Sequence, residues 1–198
     1  KKENFCLVDT AGLRRKSKIN ANLEKNMVSD TLKTIKFSNI CVLLIDASKG
    51  FEKQDLTIAR MIINEGRGLI VGVNMWDKVF EREKIKHIIF DQLKKSLSQI
   101  KNVPVVFLSG LQNIGFTSLI DTITDIKERL DIRIVTSKLN KWLIPLIENN
   151  PAPLYKGKKN NIKYITQVNI RPPTFAIFMS SPENLPESYK RLLSTSIK

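Results

Sequence analysis

Four apolar runs of strand length, each ending in a polar residue and each separated from the next by a segment of helical period, constrain the fold of this chain more than any other feature. The runs are FCLVD (Phe5–Asp9), NICVLLIDAS (Asn39–Ser48), GLIVGVN (Gly68–Asn74) and VPVVFLS (Val103–Ser109). Between and after them the periodicity predicts helices over Glu24–Phe37, Lys53–Glu65, Glu83–Ser98 and Phe116–Leu130. Near-continuous apolar strands alternating with helices indicate a parallel sheet covered by helices, an α/β fold. The apolar stripes on those helices are core packing: Leu56, Ala59, Met61, Ile62 and Ile63 on one, and Leu119, Ile120, Ile123 and Ile126 on another.

Asp9, Asp46, Asn74 and Ser109 close the four runs, so a parallel sheet places all of them at the carboxyl edge of its strands, where open α/β sheets bind ligands. Two of these ends carry chemistry. In DTAG (Asp9, Thr10, Ala11, Gly12) the carboxylate can hold Mg²⁺ through water, and the glycine lets a backbone N–H approach a terminal phosphate. In NMWDK (Asn74–Lys78) the Asp77 carboxylate can accept hydrogen bonds from the N1–H and N2 amine of guanine, which adenine cannot supply. Sites of that kind reject the wrong base by about 10⁴-fold.

Charge points to a second kind of partner. The 198 residues carry 33 Lys and Arg against 19 Asp and Glu, a net charge of +14. The excess is concentrated: Arg133 to the end holds 11 basic and 3 acidic residues. Such a surplus argues for a polyanion, and RNA fits better than a membrane because no basic amphipathic helix is evident. No stretch approaches the roughly 20 apolar residues that span a bilayer, and no leader pattern opens the chain, so a cytoplasmic protein is expected. Cys6 and Cys41 sit in apolar runs and read as small buried thiols. His87 reads as a helix-surface residue, and Trp76 and Trp142 as packing residues.

DTAG, then NxxD about 65 residues on, then SGL (Ser109–Leu111) closing the next run is an order that resembles the TRAFAC class of GTPases. The segments VDTAGLRRKSKI, DLTIA, VNMWDKV, VTSKLNKWL and ITQVNIRPPTFAIFMSSPENLPESYKRLL resemble, within that class, the Der (EngA) family of bacterial ribosome-assembly GTPases with two G domains in tandem. The resemblance runs over nearly the whole chain. It implies an incomplete Ras-like P-loop NTPase domain, the second G domain, over residues 1–132, and a partial, smaller α+β KH-like domain over residues 133–198. In the latter, the pattern predicts a helix over Val135–Asn149, strands over Ile162–Asn169 and Thr174–Met179, and a short helix near Glu187. GKKN (Gly157–Asn160) mimics the GXXG clamp of KH domains only superficially.

The same resemblance assigns roles. Asp9, Thr10, Ala11 and Gly12 face the phosphates and Mg²⁺, with Asp9 acting on the metal through water; Asn74, Met75, Asp77, Ser109 and Gly110 bind guanine, with the N–H after Ser109 at the base carbonyl. Charge clustering around the loop and first strand of the KH-like module, and not the resemblance, makes Lys156, Lys158, Lys159, Lys163 and Arg171 candidate contacts to ribosomal RNA of the large subunit. Met75 stands where the family has Lys, which removes a charge, and Gly110 stands for its Ala. Leu13 stands where many small GTPases carry a water-orienting glutamine, similar to the subclass that Der represents, in which potassium assists. No G-x-x-x-x-G-K-[ST] loop occurs anywhere in the sequence. The chain is therefore expected to be a piece of a longer protein in which GTP or GDP binds and an amino-terminal G domain docks. No catalytic residue is assigned, and the piece alone is expected to be inactive. Three functions stay open: part of a GTP-hydrolysing factor in large-subunit assembly, a nucleotide-free RNA-binding or scaffolding module, and a remnant of an interrupted gene.

Overall fold

Asn39 to Leu108 supply the three strands that organise the first half of the molecule. In the computed structural model, which describes residues 4–8, 31–97, 103–154, 157 and 159–197, β1 (Ile40–Asp46), β2 (Gly68–Asn74) and β3 (Val105–Phe107) form a parallel sheet in that order. The register sets Asp46 directly beside Asn74 and Val73 beside Phe107. Every residue of β2 except Asn74 is buried, as a strand flanked on both edges and covered on both faces must be. The packed residues divide into two units, one reaching Lys127 and the other starting at Glu128.

In the first unit, residues 31–37 are helical (α1). Helix α2 (Lys53–Asn64) buries Ala59, Ile62 and Ile63. Its start is fixed by the Glu52 N–H, which donates to the Asp55 carboxylate at 3.0 Å, and Asp55 itself is buried. Helix α3 (Arg82–Ser96) turns Ile89 and Leu93 inward and leaves His87 exposed. Helix α4 (Phe116–Leu130) lays Leu119, Ile123 and Ile126 against buried Ile70, Val106 and Leu108. Ile120, expected in that stripe, is 48% exposed. The i, i+4, i+7 spacing of the other three aims them at the sheet, and Ile120 lies about 100° of helix rotation from Leu119, off their face.

Two other expectations are corrected. Phe5–Val8 forms no strand; Leu7 is 94% exposed and Cys6 is exposed rather than buried. An apolar run becomes a strand only where a neighbour takes its backbone N–H and C=O groups, and none of the described residues pairs with these. Cys41, on β1, is half-buried, and that burial pushes its thiol pKa up against the lowering influence of Ser38 and Arg67.

In the second unit, α5 (Thr136–Asn149), β4 (Ile162–Asn169), β5 (Thr174–Met179) and α6 (Glu187–Ser196) follow one another, β4 and β5 pairing antiparallel. A 3₁₀ turn at Pro182–Asn184, not anticipated from the sequence, leads into α6. Leu139 and Leu143 of α5, Ile165 of β4, and Leu185, Tyr189 and Leu193 of the carboxyl end form one core, with Trp142 packed at its margin. Side-chain amides tie this unit together. Asn140 donates to the Ile165 carbonyl at 3.1 Å and accepts from the Ile165 N–H at 3.0 Å, so a helix residue acts as a strand neighbour. Gln167, buried on β4, accepts from the Ile134 N–H at 2.8 Å, and Asn160 brackets Ser181 through the latter's N–H and carbonyl.

Candidate functional site

At the carboxyl edge of the sheet, the chain leaves β2 through Asn74 and immediately reverses. Met75 takes a left-handed conformation, φ 62°, and Trp76–Lys78 form a 3₁₀ turn. The turn is anchored from below. Trp76 is buried with its ring 4.3 Å from that of Phe107, the Arg82 guanidinium lies over the Trp76 ring at 5.9 Å, and the backbone N–H of Trp76 donates to the Leu108 carbonyl at 3.0 Å. Fixing Trp76 fixes the next residue, Asp77.

The second loop comes from β3. Ser109 and Ile114 clasp each other with a pair of backbone hydrogen bonds, both 3.1 Å, closing the turn between them. Ser109, fully buried, accepts the Gln112 N–H on its hydroxyl at 3.1 Å and donates that hydroxyl to Asp77 Oδ1 at 2.6 Å. Such a short bond to a carboxylate is the charge-assisted kind. Asp77 Oδ2 has no partner among the described residues.

Asn74 joins three strand ends. Its carbonyl accepts the Ala47 N–H at 2.9 Å from the loop after β1, and its Oδ1 accepts the Gly110 N–H at 3.3 Å from the loop after β3. Asp46, beside it in register, is turned back on its own loop, accepting from the Ser48 N–H and hydroxyl at 2.9 and 2.7 Å. The structure thus brings Asn74, Met75, Asp77, Ser109 and Gly110 to one place. The Gly110 N–H that the sequence places at a base carbonyl is here engaged by Asn74.

What results is a polar ledge on which the Asp77 carboxylate is held in place, bordered by Met75, 40% exposed. It can recognise a planar group that offers two adjacent N–H donors. No pattern around Gly115 marks its role. Its φ of 82° and its place one residue after the Ser109–Ile114 clasp let the chain pass so close to the Phe107 carbonyl that a Cβ would lie 2.1 Å from that oxygen.

The remaining candidates fall elsewhere. Asp9, Thr10, Ala11, Gly12 and Leu13, with the Mg²⁺ expectation, lie outside the described residues, as do Lys156 and Lys158. Lys159 and Lys163 are exposed in the second unit, and the exposed Arg171 pairs with Asp131. Among the described residues, no group of His, Cys, Asp and Glu is arranged to hold a metal ion and no helix is long and apolar enough to cross a membrane.

Comparison with known proteins matches both units. Residues 24–129 fit the model of the elongation factor Tu GTP binding domain, and residues 133–198 fit that of the carboxyl-terminal KH-domain-like region of EngA bacterial GTPase enzymes. The chain is 40% identical over 192 residues to the GTPase Der of Parvibaculum lavamentivorans, covering 97% of this chain and 41% of that protein. It is 42% and 43% identical over 201 residues to the GTPase Der of Rickettsia prowazekii and of Rickettsia typhi, covering 100% of this chain and 45% of each. It thus spans less than half the length of the curated relatives it matches. A solved structure of Era in complex with MgGDPNP and nucleotides 1506–1542 of 16S ribosomal RNA matches 87% of this chain and 63% of that chain at 16% identity, with a TM-score of 0.44, too slight a likeness to bear on function.

Proposed function

The chain belongs to the Der (EngA) family of GTP-binding proteins, and from that premise we propose that its ledge at Asn74, Asp77 and Ser109 is the guanine-reading end of a GTP site in a cytoplasmic GTPase that works on large-subunit ribosomal RNA. The observation that carries the reading is the Ser109 hydroxyl bound at 2.6 Å to Asp77 Oδ1, which holds the carboxylate in place and leaves acceptor positions on both of its oxygens for the N1–H and N2 amine of the base. In this reading a GTP-binding domain occupies residues 1–132 and a KH-like domain residues 133–198, a division supported by the family matches over 24–129 and 133–198. Asp9 to Gly12 would meet the phosphates, with Mg²⁺ neutralising charge there. The phosphate loop, absent from these 198 residues, would come from a further segment like those of the longer relatives, together with an amino-terminal G domain that docks on it.

Calorimetry with GDP and ADP tests this. The chain as it stands is expected to bind GDP weakly or not at all, and a chain extended with a phosphate loop is expected to bind GDP in preference to ADP. Equal affinity for the two nucleotides in the extended chain would remove guanine recognition from the ledge.

Met75 supplies a graded version of the same test. Its left-handed backbone is as accessible to Lys as to Met, so Met75→Lys changes only what the side chain presents. Regaining a charge-assisted contact is worth about 1.5–3 kcal/mol before desolvation and entropy costs. Tighter GDP binding in the extended chain is therefore expected, and unchanged or weaker binding would show that the loop has settled around the thioether.

A second reading, in which the chain binds RNA without nucleotide, is favoured by one feature: no Asp or Glu occurs between Glu148 and Glu183, while Lys156, Lys158, Lys159, Lys163 and Arg171 all do. Each phosphate contact contributes about −0.7 to −0.9 to the slope of log affinity against log salt. Changing Lys156, Lys158 and Lys159 together to Gln is expected to flatten that slope by roughly two to three units on a large-subunit RNA fragment. Arg171→Gln is expected to change it less, because Asp131 already neutralises that guanidinium.

A further inference from the structure

The β4–β5 hairpin has two unlike faces. One carries Ile165 and Gln167 into the core beneath α5 and α6 and is fully occupied there. On the strand pair, Tyr164 lies opposite Phe178, and their rings stack with centroids 4.2 Å apart and planes 12° from parallel. Neither ring is needed to fill the core: Tyr164 is 41% and Phe178 43% exposed. Val168, further along β4, is also exposed, and the pair between them, Thr166 opposite Ala176, is small. The exposed surface is therefore two mutually aligned rings with low side chains beside them.

We propose that this stacked Tyr164–Phe178 pair is a platform on which unpaired bases of single-stranded RNA stack. The proposal rests on the reading that the basic second unit meets RNA and adds where and how bases, as distinct from phosphates, are held. Every base has a π face, so an aromatic platform binds single strands with little sequence preference. Charge selects this occupant over an apolar protein surface. Apart from Arg171, which pairs with Asp131, the sequence of the hairpin and the loop before it holds four lysines and no carboxylate, and the exposed Lys159 and Lys163 precede Tyr164 within five residues. Phosphates track the lysines while bases turn onto the rings. The site is distinct from the clamp-like GKKN sequence, which contains no ring.

Fluorescence anisotropy of labelled single-stranded A12 and U12 RNA with the 198-residue chain tests the proposal. Tyr164→Ala together with Phe178→Ala is expected to weaken both oligonucleotides by about tenfold or more while leaving the salt slope unchanged, because stacking releases no counterions. Tyr164→Phe and Phe178→Tyr, which keep the rings, are expected to leave affinity unchanged. Tyr164→Thr together with Phe178→Thr, strand-forming replacements at exposed positions, gives the same loss without an alanine in the sheet, and thermal unfolding of each variant shows that the unit stays folded. Unchanged affinity in the folded ring-less variants overturns the platform and leaves the RNA reading standing. Unchanged affinity accompanied by loss of self-association in sedimentation would assign the rings to protein docking, which also overturns it. No oligonucleotide binding by the unsubstituted chain removes both readings.

Discussion

Asp77→Asn, in a chain extended with a phosphate loop, is expected to abolish the preference for guanine over adenine nucleotides, a loss of as much as about 10⁴-fold in discrimination. The carboxylate presents acceptors only, and the Ser109 hydroxyl at 2.6 Å takes one acceptor position of Oδ1, leaving a second there and two on Oδ2. Guanine completes it with two adjacent N–H donors. An amide keeps one acceptor oxygen and puts an NH₂ group where the other was, so one of guanine's donors then faces a donor. Leaving a polar group unpaired in a closed site costs about 1–3 kcal/mol, and more where a charge was involved. Xanthine, which carries a carbonyl where guanine carries its amine, is the base that the amide fits, so the variant should gain XDP as it loses GDP. Calorimetry with GDP, ADP and XDP separates this from general damage: damage weakens all three, whereas a reader exchanged for another reverses the order of GDP and XDP. Retained GDP preference would mean that the base is read by other groups.

How far this site was legible beforehand differs from residue to residue. Asn74 and Asp77 were readable because the end of an apolar strand run is a position, and the run GLIVGVN marks it without ambiguity: β2 ends at Asn74 as expected. The hairpin was equally plain, β4 and β5 starting and stopping where the apolar residues do. Phe5–Val8 failed for a reason no single run contains, since a strand is a relation between two segments. Ile120 failed because it lies at the rim of the α4 stripe, about 100° of helix rotation from Leu119, where the sheet does not reach it. Asn140, Asn160 and Gln167 were invisible because an amide that replaces a backbone partner has no pattern in its own neighbourhood; its partners lie 25, 21 and 33 residues away. Gly115 belongs to the same class, its importance being set by the carbonyl of Phe107 passing beneath it.

That close approach makes Gly115→Ala the most damaging small substitution expected around the ledge. At φ 82° an L residue is strained by roughly 1–2 kcal/mol, and the new Cβ would sit 2.1 Å from the Phe107 carbonyl oxygen and 3.1 Å from Leu108 Cδ2. The leucine tip can move, but the carbonyl belongs to β3 and is held by the sheet, so the loop must give way. Overpacking of this kind costs typically about 1–3 kcal/mol. A total of about 2–4 kcal/mol is therefore expected, read as a fall in the urea midpoint of the first unit at unchanged m-value. The displaced segment is the one that clasps Ser109, so the hydroxyl should also leave Asp77, and guanine affinity in the extended chain should fall along with stability. Gly110→Ala is the matching control: a Cβ there meets nothing within 4 Å, and its change in stability is expected to stay within about 0.5 kcal/mol. If the two variants unfold at the same urea concentration, the loop is free to relax around a side chain, and the Ser109–Ile114 clasp does not hold the carboxylate in place.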